Sequence, residues 1–147
     1  MKVVIGCDHA GFPMKALVIA RVKALGHEVE ELGSFTPEPV DFPDIARAVC
    51  DSVREGRAAR GILVCGTGVG ASIAANKLRG IRASVVHDAH SAHQCVEHDD
   101  VNVACIGAQI IGPWLAADLV EGFLNAEFHA TEDHVRRVRK LGEMEGE

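Results

Sequence analysis

The chain has 147 residues, which predicts one domain with a core of its own. Its net charge of −6 argues against nonspecific nucleic-acid binding, which needs a basic surface. No apolar run is long enough to span a bilayer, and the apolar start is too short for the core of a signal peptide. The five cysteines form no CxxC pair and are odd in number, so we expect no disulfide framework, and we expect most of them to be small core thiols, with Cys65 as the exception. We expect a cytoplasmic protein without nucleic-acid or membrane partners.

Strand and helix patterns alternate along the chain. Strands are predicted over residues 2–7, 27–32, 61–64, 81–86 and 102–106. Each is followed by a helical pattern: from residue 13 to about 25, around 45–53, over 71–77, about 89–97 and from 113 to 124. Residues 33–44 hold three of the five prolines and are predicted to form a long surface loop. A last helix is predicted at about 131–142, with Val135, Val138 and Leu141 on one side.

Strands that alternate with helices favour a parallel sheet covered by helices on both faces. The sequence therefore predicts an α/β fold, a Rossmann-like three-layer α/β/α sandwich with a five-stranded parallel sheet. One domain is expected to span residues 1–147, because no linker interrupts the pattern.

The segment Cys65–Ser72 places a thiol beside a glycine-rich helix entrance. Glycines at 66, 68 and 70 let the backbone turn tightly and point N–H groups at an anion, and the helix dipole adds partial positive charge. A lowered thiol pKa is expected there. Cys65 is predicted to be a base or a nucleophile, with a buried structural thiol as the alternative. A nucleophile would need an imidazole, which His9 or His87 could supply.

The same loop also fits the dinucleotide pattern G-x-G-x-x-A over residues 66–71, with Asp88 at a tolerable later spacing. The match is weak, because this loop follows the third strand and no second domain is offered for a substrate. A small nucleotide-binding domain is therefore a minor alternative.

Ligands in such folds bind at the carboxyl ends of the strands. Asp8 and His9 follow the first strand and are predicted either to bind sugar hydroxyls or to cap the next turn. His98 precedes the fifth strand, so the fold places it at the opposite end of the sheet. A second subunit or a long loop would have to bring it to the site. No metal site is predicted, because no helical histidine pair has a third ligand in reach along the sequence.

Five segments in chain order carry a family resemblance. They are Gly-Cys-Asp-His-Ala-Gly at 6–11, Val-Asp-Phe-Pro at 40–43, Cys-Gly-Thr-Gly-Val-Gly-Ala-Ser-Ile-Ala-Ala-Asn-Lys at 65–77, Gly-Ile-Arg-Ala at 80–83 and Glu-His-Asp-Asp-Val-Asn at 97–102. Together they resemble the type B ribose-5-phosphate isomerases, a group that includes the galactose-6-phosphate isomerase subunits.

The resemblance implies interconversion of an aldose and a ketose through a cis-enediol, without metal or organic cofactor. It implies Cys65 as the base, Thr67 as the group that moves protons between oxygens, and Asp8 with His98 in ring opening. It also implies a homodimer or a tetramer with sites shared between chains. The implied substrate-binding residues are His9, Gly66, Gly68, Val69, Gly70, Asp99, His134 and Arg137.

Four positions depart from the family pattern. Asp99 stands where the family has asparagine, and Phe42 where it has tyrosine before proline. Gln109 and Asp133 each stand where the family has an arginine associated with phosphate. An aspartate facing a dianion replaces an attractive pair with repulsion. The substrate is therefore expected to be a sugar phosphate of the ribose 5-phosphate type or a different one, held by Arg137 and residues such as Arg136, or else an unphosphorylated sugar or sugar acid. A non-catalytic sugar-binding subunit is a further alternative.

Overall fold

Five short strands form the centre of the fold in the computed structural model, which describes residues 1–146. They are β1 (Lys2–Cys7), β2 (Glu28–Glu31), β3 (Arg60–Cys65), β4 (Ala83–Val85) and β5 (Val103–Gly107). All pairings are parallel, in the order β2-β1-β3-β5-β4. The three inner strands are apolar almost throughout because both of their faces are buried.

Helices cover both faces of this sheet. Within the described residues they are α1 (Phe12–Ala24), α2 (Phe42–Arg54), α3 (Val69–Ala75), α4 (Ala89–Asp99), α5 (Pro113–Asn125) and α6 (Glu132–Met144). Helices α1, α4 and α5 pack on one face, and α2 and α3 pack on the other. The predicted three-layer α/β/α sandwich with a five-stranded parallel sheet is therefore confirmed.

Alternation along β3 decides which side chains face which helices. Ile62 and Val64 belong to the core under α1, α4 and α5, whereas Leu63 and Cys65 belong to the core under α2 and α3. Cys65 is thus the last residue of a central strand, and it lies on the face of the sheet that α2 and α3 cover.

Two element boundaries differ from the sequence prediction for identifiable reasons. Helix α2 begins at Phe42, inside the loop predicted over 33–44, because proline is accepted in the first turn of a helix. Strand β4 has three residues rather than the predicted six. The side chains of Asn76 and Asn102 accept the backbone N–H groups of Ala83 and Arg82, which places local side-chain bonds at the start of this strand.

Helix α6 lies apart from both cores. Thr131 caps it by accepting the N–H of His134 at 3.2 Å, and none of its described side chains is buried. Val135 and Leu141, two members of the predicted apolar side, are exposed, as is Met144. Separately, no helix within residues 1–146 has the length and apolar character needed to cross a membrane.

Replacing Gly11 with alanine should destabilise the fold, because the added Cβ would lie 1.9 Å from the carbonyl oxygen of Val64. Both backbones would have to shift, and we expect a loss of about 3 kcal/mol in the free energy of unfolding. Gly142→Ala is the matched control, since its Cβ meets nothing within 4 Å and alanine favours a helix. Urea unfolding followed by circular dichroism measures both variants. Equal midpoints would contradict the close approach of the α1 turn to β3.

Candidate active site

Asp8 lies at the carboxyl end of β1, where its side chain closes the turn into α1. The residue is only 6% exposed, and its Oδ1 accepts the N–H of Gly11 at 2.9 Å. The capping role considered from the sequence is therefore present. A carboxylate has a second oxygen, so capping and ligand binding are compatible.

The loop after Cys65 turns into α3 through a left-handed glycine. Gly68 has φ of 79°, and a Cβ there would lie 3.1 Å from the carbonyl oxygen of Cys105. Both the conformation and the space require glycine. The hydroxyl of Thr67 accepts the N–H of Val69 at 3.3 Å, and Thr67 and Val69 are exposed on the loop. The predicted loop geometry is thus present at the end of β3.

Phe42 packs against Gly70, the second residue of α3. A Cβ added to Gly70 would lie 2.9 Å from the Cζ atom of the Phe42 ring. The first residue of α2 therefore packs directly on the loop, and it contributes an apolar ring edge rather than a hydroxyl.

Two imidazoles lie at this edge of the sheet, and both hold backbone groups. The Nδ1 atom of His9 accepts the N–H of Val40 at 3.3 Å, and the Nε2 atom of His87 accepts the N–H of Gly107 at 3.1 Å. Within residues 1–146, no hydrogen bond joins either ring to the thiol of Cys65. The arrangement lacks the thiol–imidazole pair of a cysteine nucleophile.

A cavity of about 490 Å³ opens beside these residues, on the side of α1 and α5. His9 and Gln109 are its polar lining residues, and the N–H of Gln109 donates to the carbonyl of Gly66 at 3.0 Å. Cys65 does not line this cavity and is 9% exposed. Cys65 is therefore largely buried, in the core at the carboxyl end of β3.

His98, Asp99, His134 and Arg137, the remaining predicted site residues, lie at the other end of the molecule. His98 is at the end of α4, just before β5 begins, whereas Cys65 pairs with Gly107 at the end of β5. The rings of His98 and His134 stack with centroids 4.5 Å apart. The structure therefore brings the predicted residues into two groups, one at each edge of the sheet.

The charges at the start of α6 partly compensate one another. Asp133, which stands at a family arginine position, pairs with Arg136 at 2.7 Å and with Arg137 at 3.7 Å. All three side chains are about half exposed or more, so the pairs are weak. Glu132 in the same turn adds a second negative charge, so Arg136 and Arg137 balance the two acidic residues and leave the turn close to neutral.

A second feature near His98 was not predicted. Ligand atoms of Glu97, His98 and His129 lie within 4.8 Å of one another. The Nδ1 atom of His93 lies 3.0 Å from Glu97 Oε2, and this hydrogen bond lowers the pKa of the Glu97 carboxyl. This group is not one of the helical histidine pairs considered from the sequence. The third ligand, His129, comes from the segment after α5, and the spacing of residues along α4 gives no indication of it.

The remaining cysteines have structural positions. All five cysteines are free and buried, which confirms the expectation of core thiols for the four other than Cys65; Cys65, expected to be the exception, is buried as well. Burial raises the pKa of Cys50 to about 12 and that of Cys95 to about 11, and it also raises the pKa of Cys7 and Cys105. Protonated thiols in such positions are inert.

Iodoacetamide at about pH 8 should alkylate Cys65 before Cys50. The Cys50 thiol has no exposed surface, and with a pKa of about 12 roughly 0.01% of it is ionised at that pH. Cys65 retains 9% exposure at the sheet edge. Peptide mass spectrometry after brief labelling measures the order, with Cys65→Ser as the control. Earlier labelling of Cys50 in the folded chain would contradict its burial.

A parallel α/β sandwich with a thiol and a glycine loop at its carboxyl edge is the architecture of an enzyme for a small molecule. The family described as Ribose/Galactose Isomerase matches residues 3–141. Ribose-5-P isomerase B of Listeria innocua is 42% identical over 128 residues, which are 87% of this chain and 86% of that protein. Ribose-5-phosphate isomerase B of Escherichia coli is 40% identical over 144 residues, 98% of this chain and 96% of that protein.

A solved structure of Clostridium thermocellum ribose-5-phosphate isomerase B has a TM-score of 0.96 at 42% identity, covering 99% of this chain and 98% of that one. The chain therefore belongs to the ribose/galactose isomerase family, and its class is that of an aldose–ketose isomerase.

Proposed function

We propose that this chain interconverts an aldose phosphate and its ketose, of the ribose 5-phosphate and ribulose 5-phosphate type, through a cis-enediol with Cys65 as the base. The observation that carries the proposal is the position of Cys65 at the end of β3, directly before a loop that turns into α3 through the left-handed Gly68. The names of the relatives reported above favour a phosphorylated sugar over the free sugar considered from the sequence.

The proposed step moves one proton between neighbouring carbons. The Cys65 thiolate removes the proton from C2 of the open-chain aldose, and the electron pair forms the C1–C2 double bond as the carbonyl oxygen becomes an oxyanion. The same thiol then returns a proton to C1, while the hydroxyl of Thr67 transfers a proton between the two oxygens. The absence of a thiol–imidazole hydrogen bond in the described residues supports a base rather than a nucleophile.

The loop supplies the electrostatic part of this proposal. The first N–H groups of a helix have no partner within the helix. The proposal assigns those of Gly66, Gly68, Val69 and Gly70 to the developing oxyanion, for which the N–H of Val69 exchanges its bond to the hydroxyl of Thr67. Preorganised donors that face a developing oxyanion are usually the largest contribution to such catalysis. Phe42 excludes water from the far side of the loop at Gly70.

Ring opening is assigned to Asp8 and to His98 from a second copy of the chain. His98 lies at the sheet edge opposite Cys65, and no segment of residues 1–146 carries it across. Two copies packed so that the carboxyl edge of one meets the α4–α6 corner of the other would complete the site. The exposed apolar side of α6 supports contact at that corner.

The phosphate is assigned to the same corner, with His9 on the other side. His134 and Arg137 are the matching residues there, Asp99 lies next to His98, and Arg136 supplies a further charge. Arg136 neutralises Asp133, so the repulsion expected from the sequence is reduced. The guanidinium group of Arg137 is then the one assigned to pair with the phosphate dianion of the substrate.

Cys65→Ala should lower kcat for ribose 5-phosphate by at least about 10²-fold, because it removes the proposed base. Exchange of the substrate C2 hydrogen with deuterated solvent, followed by NMR, should stop as well. Cys50→Ala is the matched control, a buried thiol on the same face of the sheet that should keep its turnover. Normal isomerisation by folded Cys65→Ala would contradict the assignment.

Mixing two variants tests whether sites are shared between chains. Cys65→Ser and His98→Asn should each be nearly inactive, yet a mixed dimer contains one site with both native residues. After subunit exchange, random pairing predicts recovery to about one quarter of wild-type activity. Native mass spectrometry confirms the exchange. Mixed dimers without recovered activity would show that His98 does not complete the site of another chain.

A further inference from the structure

We propose that Glu97, His98 and His129 form a binding site for one zinc ion, which competes with the isomerase for His98. The ligand atoms of the three side chains lie within 4.8 Å of one another. Two imidazoles and one carboxylate, with a fourth position open, are a donor set that zinc accepts. Bond lengths near 2.1 Å place tetrahedral ligands about 3.4 Å apart, so small side-chain rotations suffice to close the site.

The backbone holds the three ligands together before any ion binds. The N–H of His129 donates to the carbonyl of Glu97 at 2.9 Å, which joins the segment after α5 to the end of α4. The ring of His134 bonds to the carbonyl of His129 at 2.8 Å and stacks on His98. A site that is assembled in the folded chain loses less conformational entropy on binding than one assembled by the ion.

Neighbouring side chains orient the ligands. Gln94 lies 3.0 Å from Nδ1 of His98, and rotation of its amide allows the oxygen to accept Nδ1–H, which leaves the Nε2 lone pair for a metal. His93 occupies Oε2 of Glu97 at 3.0 Å, so the other carboxylate oxygen remains for the ion. Such outer partners are typical of metal sites and fix the ring orientation of a ligating histidine.

The proposal has a functional consequence that rests on the proposed role of His98. An imidazole that binds zinc through Nε2 cannot take up or release a proton at that nitrogen, and its Nδ1–H is directed at Gln94. Zinc should therefore inhibit the isomerase reversibly, and a chelator should restore the activity. His129 is outside the proposed catalytic and substrate-binding residues, so its removal should abolish zinc inhibition while activity without metal is retained.

Titration calorimetry of the full chain with zinc chloride should show one ion per chain. Cobalt(II) should give the visible absorption of a site with low coordination number, without a thiolate charge-transfer band. His129→Ala should weaken zinc binding by more than about 100-fold, since loss of outer partners alone costs 10- to 100-fold. His90→Ala, an exposed histidine on the same helix, is the control and should bind zinc as the parent chain does. Glu97→Gln is a second variant that should also weaken binding.

Two results would overturn the proposal. One is zinc binding by His129→Ala with the affinity of the parent chain. The other is loss of binding in Cys65→Ser but not in His129→Ala, which would place the ion at a thiol. Zinc binding that depends on His129 but leaves turnover unchanged would support the metal site and contradict the catalytic role of His98, so the two proposals fail separately.

Discussion

Two backbones touch where the loop after β3 crosses the end of β5, and the candidate site depends on that contact. A Cβ at Gly107 would lie 2.8 Å from the backbone of Thr67, and one at Gly68 would lie 3.1 Å from the carbonyl oxygen of Cys105. Only glycine, whose side chain is a single hydrogen, allows the loop and the end of β5 to approach each other this closely. Cys65 therefore ends a rigid central strand, and the loop that follows it is held against β5 by the same contact. A flexible surface loop would position a reactive side chain less precisely than this strand does.

The same parallel sheet separates the chemistry into two halves. In a parallel arrangement each helix returns the chain to the starting edge, so residues that end a helix and residues that end a strand lie at opposite edges. Cys65 ends a strand and His98 ends a helix. No rearrangement of side chains removes that separation. If the Cys65 thiol and the His98 imidazole act on one substrate, as proposed, two chains must come together. The polar residues at both ends of the strands are consistent with such a shared site.

Local patterns in the sequence were sufficient for the fold and for the residues around Cys65. Alternation of apolar strands with amphipathic helices predicts the parallel sheet, and the glycine spacing predicts the turn at Gly68. Local patterns were insufficient where distant side chains intervene. Strand β4 is short because Asn76 and Asn102 bond to its start, and the approach of His129 to His98 depends on how the chain reverses after α5. Contacts between residues that are distant along the chain leave no periodic pattern in the sequence.

The lack of any buried side chain on α6 has a consequence for how this protein responds to dilution. A helix that fully buries none of its side chains gains little stability from packing within its own chain, so its order depends on whatever covers its exposed apolar side, Val135, Leu141 and Met144. In the dimer proposed above, its ordering would be linked to association, so that fraying of α6 and separation of the subunits would become one equilibrium. His134 is on this helix and stacks on His98. Specific activity would accordingly fall at low protein concentration before the core of the sheet shows any sign of unfolding.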